Sequence, residues 1–184
     1  LSALFGFVHK ETGLRQYREL VLIVARKNGK SMLASAIATY LLFADGEAVP
    51  ELYSVATKKE QARIIWQETT NIIKKSNVLR KHSRIYRNEI KAYLNNGVFK
   101  PLSSDSNSLD GLNVHAAFID ELHAIKDKNL YDVVVDGMAA REQPLSIITT
   151  TNGMIRESIF DLKYQECTKI INGYADKSYI DEKI

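Results

Sequence analysis

ELVLIVARKNGKS, Glu19 to Ser31, is the stretch whose reading decides the fold. Glu19 to Val24 is a nearly continuous run of β-favouring apolar residues, the pattern of a strand buried on both faces of a parallel sheet. From Met32 to Phe43, residues Leu33, Ala36, Ile37, Tyr40 and Leu41 recur at helical spacing among good helix formers. A loop joining such a strand to such a helix aims backbone N–H groups and the positive end of a helix dipole at one spot, which favours an anion. In that loop Lys30 would reach the β- and γ-phosphates of a nucleotide and the Ser31 hydroxyl would ligate Mg²⁺. The usual pattern is G-x-x-x-x-G-K-[ST], and here Val24 stands where the first glycine belongs, while Arg26 and Lys27 add two cations. The competing reading is a basic turn that caps a helix.

Composition narrows the class. A chain of 184 residues with 45% hydrophobic and 26% charged side chains suits one α/β domain with a sizeable core. No apolar run approaches the ~20 residues of a membrane span, and no signal-peptide pattern is present. The single Cys167 excludes an internal disulfide and a Cys-rich metal site, and reads as a packing thiol. A net charge of +3 is compatible with nucleic acid without arguing for it. The chain lacks an initiator Met and is expected to be a piece of something longer.

Leu1 to Phe7 reads as the tail of an element, and the polar stretch His9 to Arg18 as a turn into the first strand, where solvation is preferred for Arg15, Gln16 and Arg18 over an adenine contact by Gln16 or a phosphate contact by Arg15 or Arg18. After Asp45, Gly46 and Pro50, Leu52 to Ala56 reads as a second strand. Lys58 to Ser76 follows as an amphipathic helix whose face carries Ala62, Ile65, Trp66, Thr69, Ile72 and Ile73, with Trp66 in the core. The basic patch Arg80 to Arg87, RKHSRIYR, reads first as a solvated connection, although its interleaved Tyr86 also suits a nucleic-acid backbone. Glu89 to Leu102 alternates on both sides of Asn95-Asn96-Gly97 and predicts an antiparallel hairpin. Ser103 to Gly111 is a polar loop. Leu130 to Ala140 reads as a helix, Pro144 to Thr151 as a strand, Arg156 to Ile171 as a closing amphipathic helix, and Asn172 to Ile184 as a polar exit.

A second chemical feature lies at Val114 to Glu121, where an apolar strand ends in the adjacent carboxylates Asp120 and Glu121. The carboxyl end of a parallel strand opens toward the ligand crevice. Asp120 would hold Mg²⁺ there, and Glu121 would orient or deprotonate an attacking water. Paired with the Gly-Lys-Ser loop, this makes ATP hydrolysis the better reading, since one motif positions phosphates and the other metal and water. Strand Leu52 to Ala56 and the hairpin intervene between the two motifs, and a Glu adjoins the metal-binding Asp. Both features predict a three-layer P-loop NTPase of the additional-strand, catalytic-Glu type, with a mostly parallel sheet and an antiparallel hairpin. A strand ending in Thr149, Thr150 and Thr151 can place hydroxyls near a γ-phosphate and report its hydrolysis. His123, without a second His or Cys at ligand spacing, reads as a polar loop residue.

RKNGKS (26 to 31), LDGLN (109 to 113), FIDELHA (118 to 124), AAREQPL (139 to 145) and ITTTNG (148 to 153) occur in the order found in the large terminase subunit of tailed bacteriophages, and the chain resembles the ATPase domain of that family over essentially its whole length. The resemblance also covers Val24, because terminase phosphate loops commonly lack the first glycine and carry an arginine at the position of Arg26. It implies an ATP- and Mg²⁺-dependent motor that forms a homo-oligomeric ring on the portal protein, works with the small terminase subunit, and drives double-stranded DNA into the procapsid in the host cytoplasm, phage or prophage encoded. By this resemblance the loop Arg26, Lys27, Asn28, Gly29, Lys30 and Ser31 binds the nucleotide, Ser31 and Asp120 hold the metal, and Glu121 is the catalytic carboxylate assisted by Lys30. Thr149, Thr150 and Thr151 match the coupling motif, and Arg141 is the candidate for an arginine supplied to a neighbouring subunit's site. The nuclease domain of the family and its adenine-contacting glutamine motif have no counterpart in this stretch, so no DNA cleavage is expected from it. The alternatives are a helicase-like ATPase of the same fold and a nucleotide-binding structural module.

Overall fold

The computed structural model describes residues 1–104, 111–125, 128–151 and 159–176, the side chains of 128 and 174–176 excepted. Seven strands form one sheet: β1 (Glu19–Ile23), β2 (Glu51–Ala56), β3 (Ser83–Ile85), β4 (Ile90–Ala92), β5 (Val98–Ser103), β6 (Val114–Asp120) and β7 (Leu145–Thr150). Their spatial order is β1-β7-β6-β2-β5-β4-β3. The pairings β1·β7, β7·β6, β6·β2 and β2·β5 are parallel, and β4 runs antiparallel to both β5 and β3. Among the described residues the helices are α1 (Ser2–Gly6), α2 (Lys30–Phe43), α3 (Lys59–Lys75), α4 (Asn77–Lys81), α5 (Lys128–Asp136) and α6 (Ile159–Asp176), with a 3-10 turn at Leu122–Ala124.

Alternation along the central strands builds two cores, one on each face. Ala116 and Phe118 of β6 point to the side covered by α2 and α3, joining Ile37, Leu41, Ile65, Trp66 and Phe99. Their neighbours Ala117 and Ile119 point to the side of α5 and α6, joining Leu122, Leu130, Val134 and Phe160. This is the period-2 rule of a strand applied to a sheet covered on both faces, and it is why every residue of β6 is buried. The expected three layers are therefore present. Trp66 is a core residue as expected, with its indole N–H donating to the Phe99 carbonyl at 3.2 Å. The Asn95-Asn96-Gly97 turn joins β4 to β5 with Asn96 at φ 57°, a left-handed conformation that Asn tolerates.

Several expectations need correction. β1 is half-buried along its length rather than buried on both faces, because it is the end strand of the sheet among the described residues. β2 does intervene between β1 and β6 along the chain as expected, while in space β7 lies between them and β2 flanks β6 on its other side. The basic patch is more than a connection, since it takes in the last two residues of α4 and the whole of β3, which pairs with β4 from Ser83 to Ile85. The last helix continues through Asp176, where a polar exit was expected from Asn172. Residues 105–110 and 152–158, which carry part of the LDGLN and ITTTNG motifs and Arg156, lie outside the described residues, as do 177–184.

Arg15 is not solvated either. Its guanidinium is buried against Asp45, with Nη1 at 3.0 Å from Oδ1 and Nη2 at 3.2 Å from Oδ2, and it also donates to the Gln143 carbonyl at 2.7 Å. The fully buried His115 contacts the same carboxylate through Nε2 at 2.9 Å. Burial alone would push the Asp45 carboxyl up, but hydrogen bonds and charge from His115 and Arg15 outweigh it and hold the group below its ordinary value. This network locks the end of α2 to the entries of β6 and β7, the opposite edge of the sheet from the two motifs.

Candidate active site

All the parallel strands point their carboxyl ends to one edge. Register sets Asp120 of β6 beside Thr149 of β7, and Thr149 beside Leu22 of β1, so the segments leaving these strands meet there. The loop after β1 folds back through two left-handed residues, Lys27 at φ 64° and Gly29 at φ 76°, the second capping α2. Gly29 is the glycine the turn requires. Val24, at the position of the missing one, keeps an ordinary backbone and extends the sheet by donating its N–H to the Thr150 carbonyl at 3.2 Å.

Behind this loop Lys30 is buried, its Nζ 3.4 Å from the Val24 carbonyl oxygen. A cleft of about 270 Å³ opens in front of it, lined by Arg26, Lys27, Gly29, Lys30, Ser31, Met32, Gln61, Ile64, Asp120 and Glu121. Two motifs far apart in sequence thus share one cavity, with cations on one wall and carboxylates on the other. Gln61 and Ile64, from the first turns of α3, are additions that the motifs do not announce. The available signal is positional, since α3 follows β2 and so starts at the same edge of the sheet. Asn28 does not face the cleft in this way, and its side chain instead donates to the Ala25 carbonyl at 3.3 Å.

The acid pair is held from behind by β7. Thr149 Oγ1 donates to Asp120 Oδ1 at 2.7 Å, and the Glu121 N–H reaches the same oxygen at 3.1 Å. Burial pushes the Asp120 carboxyl up; the Thr149 hydrogen bond opposes the shift, Glu121 adds to it, and Lys30 works against it. Glu121 itself adopts φ 51°, ψ 54°, a left-handed backbone that a non-glycine residue enters at a cost of roughly 1–2 kcal/mol. The kink turns the chain sharply out of β6 and into the 3-10 turn. Thr151 Oγ1 donates to Glu121 Oε2 at 3.3 Å. Thr149, Thr150 and Thr151 are all buried and none lines the cleft; Thr149 and Thr151 brace the carboxylates that do, while the Thr150 hydroxyl meets His123 and the Thr151 carbonyl.

No cluster of three His, Cys, Asp or Glu side chains able to hold a metal by themselves is found among the described residues. A divalent ion here would be held by the Ser31 hydroxyl and the Asp120 carboxylate, together with phosphate oxygens and water. That hard, oxygen-only and partly aqueous donor set fits Mg²⁺.

Arg141 is not brought to this site. It follows α5 near the start of β6, about one strand length, roughly 20 Å, from Asp120. Its Nη1 pairs with Glu47 Oε1 at 2.8 Å, and the two Nη atoms also reach the carbonyls of Ala48, Val49 and Asn113. Within this chain the guanidinium acts as an internal clamp on one carboxylate and three carbonyls. Arg141→Ala is expected to lower the unfolding free energy by about 3 kcal/mol in denaturant titration, because Glu47 and the carbonyls lose their shared donor. Mixing it with a catalytically dead subunit should restore nothing beyond what Arg141→Ala does alone.

A family model described as "Terminase large subunit, ATPase domain" matches residues 1–169. Among solved structures, the chain is similar to the large terminase of bacteriophage HK97, with 22% identity and a TM-score of 0.77 over 85% of this chain and 34% of that one. It is also similar to the large terminase ATPase domain of Thermus phage P74-26, with 19% identity and a TM-score of 0.61 over 84% of this chain and 69% of that one. The large terminase of another thermophilic bacteriophage, solved in complex with ADP, matches with 10% identity and a TM-score of 0.56 over 73% of this chain and 33% of that one. At these identities the likeness is one of fold. The chain spans about a third of the HK97 protein's length. No curated protein sequence matches it.

Proposed function

Because the chain belongs to the family of terminase large subunit ATPase domains, we propose that it is the Mg²⁺-dependent, ATP-hydrolysing domain of a motor that moves double-stranded DNA into a phage procapsid. The observation that carries this reading is the shared cleft, with Lys30 and Ser31 on one side and Asp120 and Glu121 on the other. The ADP complex of the thermophilic phage's terminase supports a nucleotide as the ligand of a fold of this kind.

In the proposed reaction, water attacks the γ-phosphorus and the bond to the β,γ-bridging oxygen breaks, releasing ADP and phosphate. Glu121 orients the water and takes its proton. Lys30 leaves the Val24 carbonyl to meet the β- and γ-phosphate oxygens, and Arg26 and Lys27 add positive charge at the rim. The Ser31 hydroxyl and the Asp120 carboxylate would hold Mg²⁺, which would supply Lewis-acid neutralisation of phosphate charge. Thr149, Thr150 and Thr151 carry any movement of the carboxylates into β7, which runs between β1 and β6. The ring on the portal, the small-subunit partner and the setting in the host cytoplasm belong to this proposal.

The DNA part of the reading is supported by charge. From Lys74 to Lys91 the cations Lys74, Lys75, Arg80, Lys81, Arg84 and Arg87 are exposed, and Glu89 is the one carboxylate of the stretch. This local balance exceeds the +3 of the whole chain. The exposed Tyr86 lies among them, with the Arg84 guanidinium 5.3 Å from its ring centre. Such a surface tracks a phosphate backbone without reading bases. Replacing Lys81, Arg84 and Arg87 together by Glu is expected to weaken duplex binding and to reduce the slope of log K against log salt by about 0.9 for each phosphate no longer neutralised. Nucleotide affinity should hold. The test of the function is ATP turnover with and without duplex DNA: stimulation by the duplex supports the motor reading, stimulation by single strands alone favours a helicase-like ATPase, and no turnover in either case leaves a binding module.

A further inference from the structure

We propose that His123 is a positioning residue that holds the Glu121 carboxylate to the end of β7 and so sets its orientation toward the attacking water. The inference rests on the ATPase reading and deepens it. His123 Nδ1 lies 3.0 Å from Thr150 Oγ1 and 3.2 Å from Glu121 Oε2. The Thr150 hydroxyl has one proton, which it can give to the Thr151 carbonyl at 3.1 Å. The tautomer that suits both neighbours carries the hydrogen on Nδ1, which then donates toward the Glu121 carboxylate oxygen while the Thr150 hydroxyl accepts. One N–H thus faces two acceptors and cannot serve both at full strength.

The ring is fixed well enough for that choice to matter. It sits in the 3-10 turn beside the fully buried Leu122, and the turn is closed by the Ala124 N–H on the Glu121 carbonyl at 2.7 Å. Thr57 Oγ1 pins the same turn from β2's end by donating to the Ala124 carbonyl at 3.1 Å. With His123 and Thr151 both directed at Oε2, Glu121 is held through one oxygen and keeps Oε1 for other partners. A small displacement of β7 shifts the N–H between Thr150 and Glu121, which tightens or loosens the carboxylate. His123 is not among the residues lining the cleft, so it acts through Glu121 and not on the nucleotide.

The experiment measures steady-state ATP turnover and equilibrium binding of a fluorescent ATP analogue for the full chain with duplex DNA. His123→Ala is expected to lower kcat by about 10- to 100-fold, the range of one hydrogen bond to a charged group, while analogue affinity stays within about twofold of wild type. His123→Asn, whose side-chain N–H falls near the place of Nδ1, is expected to recover most of the rate; His123→Gln, which puts its N–H near the place of Nε2, is not. The Asn and Gln pair decides the matter even if His123→Ala fails to fold. Wild-type kcat in His123→Ala, equal rates for Asn and Gln, or loss of nucleotide binding in step with turnover would each overturn the proposal. A wild type that hydrolyses no ATP overturns the ATPase reading itself, and that outcome is separate from indifferent His123 variants in an active enzyme.

Discussion

Glu121→Gln is expected to lower kcat for ATP hydrolysis by about two to four orders of magnitude while ATP still binds. General acid–base assistance by a positioned side chain contributes about 10²- to 10⁴-fold, and the amide cannot take the proton from water. The substitution keeps the shape of the side chain, and the left-handed backbone at residue 121 is as accessible to Gln as to Glu, so the fold should be untouched. Thr151 can still donate to the amide oxygen in the place of Oε2. Binding should survive because the phosphate contacts come from the other wall of the cleft, where Lys30, Arg26 and Lys27 sit. Single-turnover phosphate release and nucleotide binding, measured on the same preparation, separate the two effects. Unchanged release would remove Glu121 from the mechanism.

Lys30→Ala is expected to act on binding first. The lysine is buried behind the loop, its ammonium meets the Val24 carbonyl at 3.4 Å, and Asp120 lies close enough for the two charges to influence each other. A buried cation held so loosely is poised to exchange that carbonyl for a phosphate oxygen. Hydrogen bonds between charged partners are worth roughly 1.5–3 kcal/mol, so its loss should weaken ATP affinity by about one to two orders of magnitude. Turnover should fall further than affinity, because the same ammonium stabilises charge that develops on the γ-phosphate oxygens. Isothermal titration with ATP and with ADP, combined with turnover at saturating nucleotide, distinguishes the two contributions. Equal loss for ATP and ADP would place Lys30 on the β-phosphate alone.

The parts of this molecule that are legible in its sequence are those whose signal is local. ELVLIV followed by RKNGKS marks a strand, a tight loop and a helix within a single window, and the apolar stripe of α3 repeats at about 3.6 residues. Asn95-Asn96-Gly97 encodes its own turn. The carboxylates Asp120 and Glu121 are legible because they end an uninterrupted apolar run. What escapes is what depends on partners distant in the chain. Arg15 and Arg141 look solvated or available until Asp45 and Glu47 are brought beside them, and no pattern around either arginine announces that. The three-residue β3 exists because β4 supplies its hydrogen bonds, and its own sequence, Ser-Arg-Ile inside a basic run, reads as surface. His123 reads as a loop residue for the same reason, since Thr150, its partner, lies on another strand. The Thr149 to Thr151 cluster stands beside the acid pair, as its place at a strand end suggests, but the hydroxyls of Thr149 and Thr151 meet the carboxylates and none of the three lines the cleft, a distinction set by register with β6.

In the proposed function the Gly-Lys-Ser loop and the Asp120-Glu121 pair form one ATP site. A crystal structure of the chain with Mg²⁺ and a non-hydrolysable ATP analogue tests it most directly. The triphosphate is expected in the cleft between Lys30 and Asp120, with Lys30 Nζ on β- and γ-phosphate oxygens, the metal on Ser31 Oγ and the Asp120 carboxylate, and a water between Glu121 and the γ-phosphorus. A triphosphate seated anywhere else, or a metal that contacts neither Ser31 nor Asp120, would contradict it.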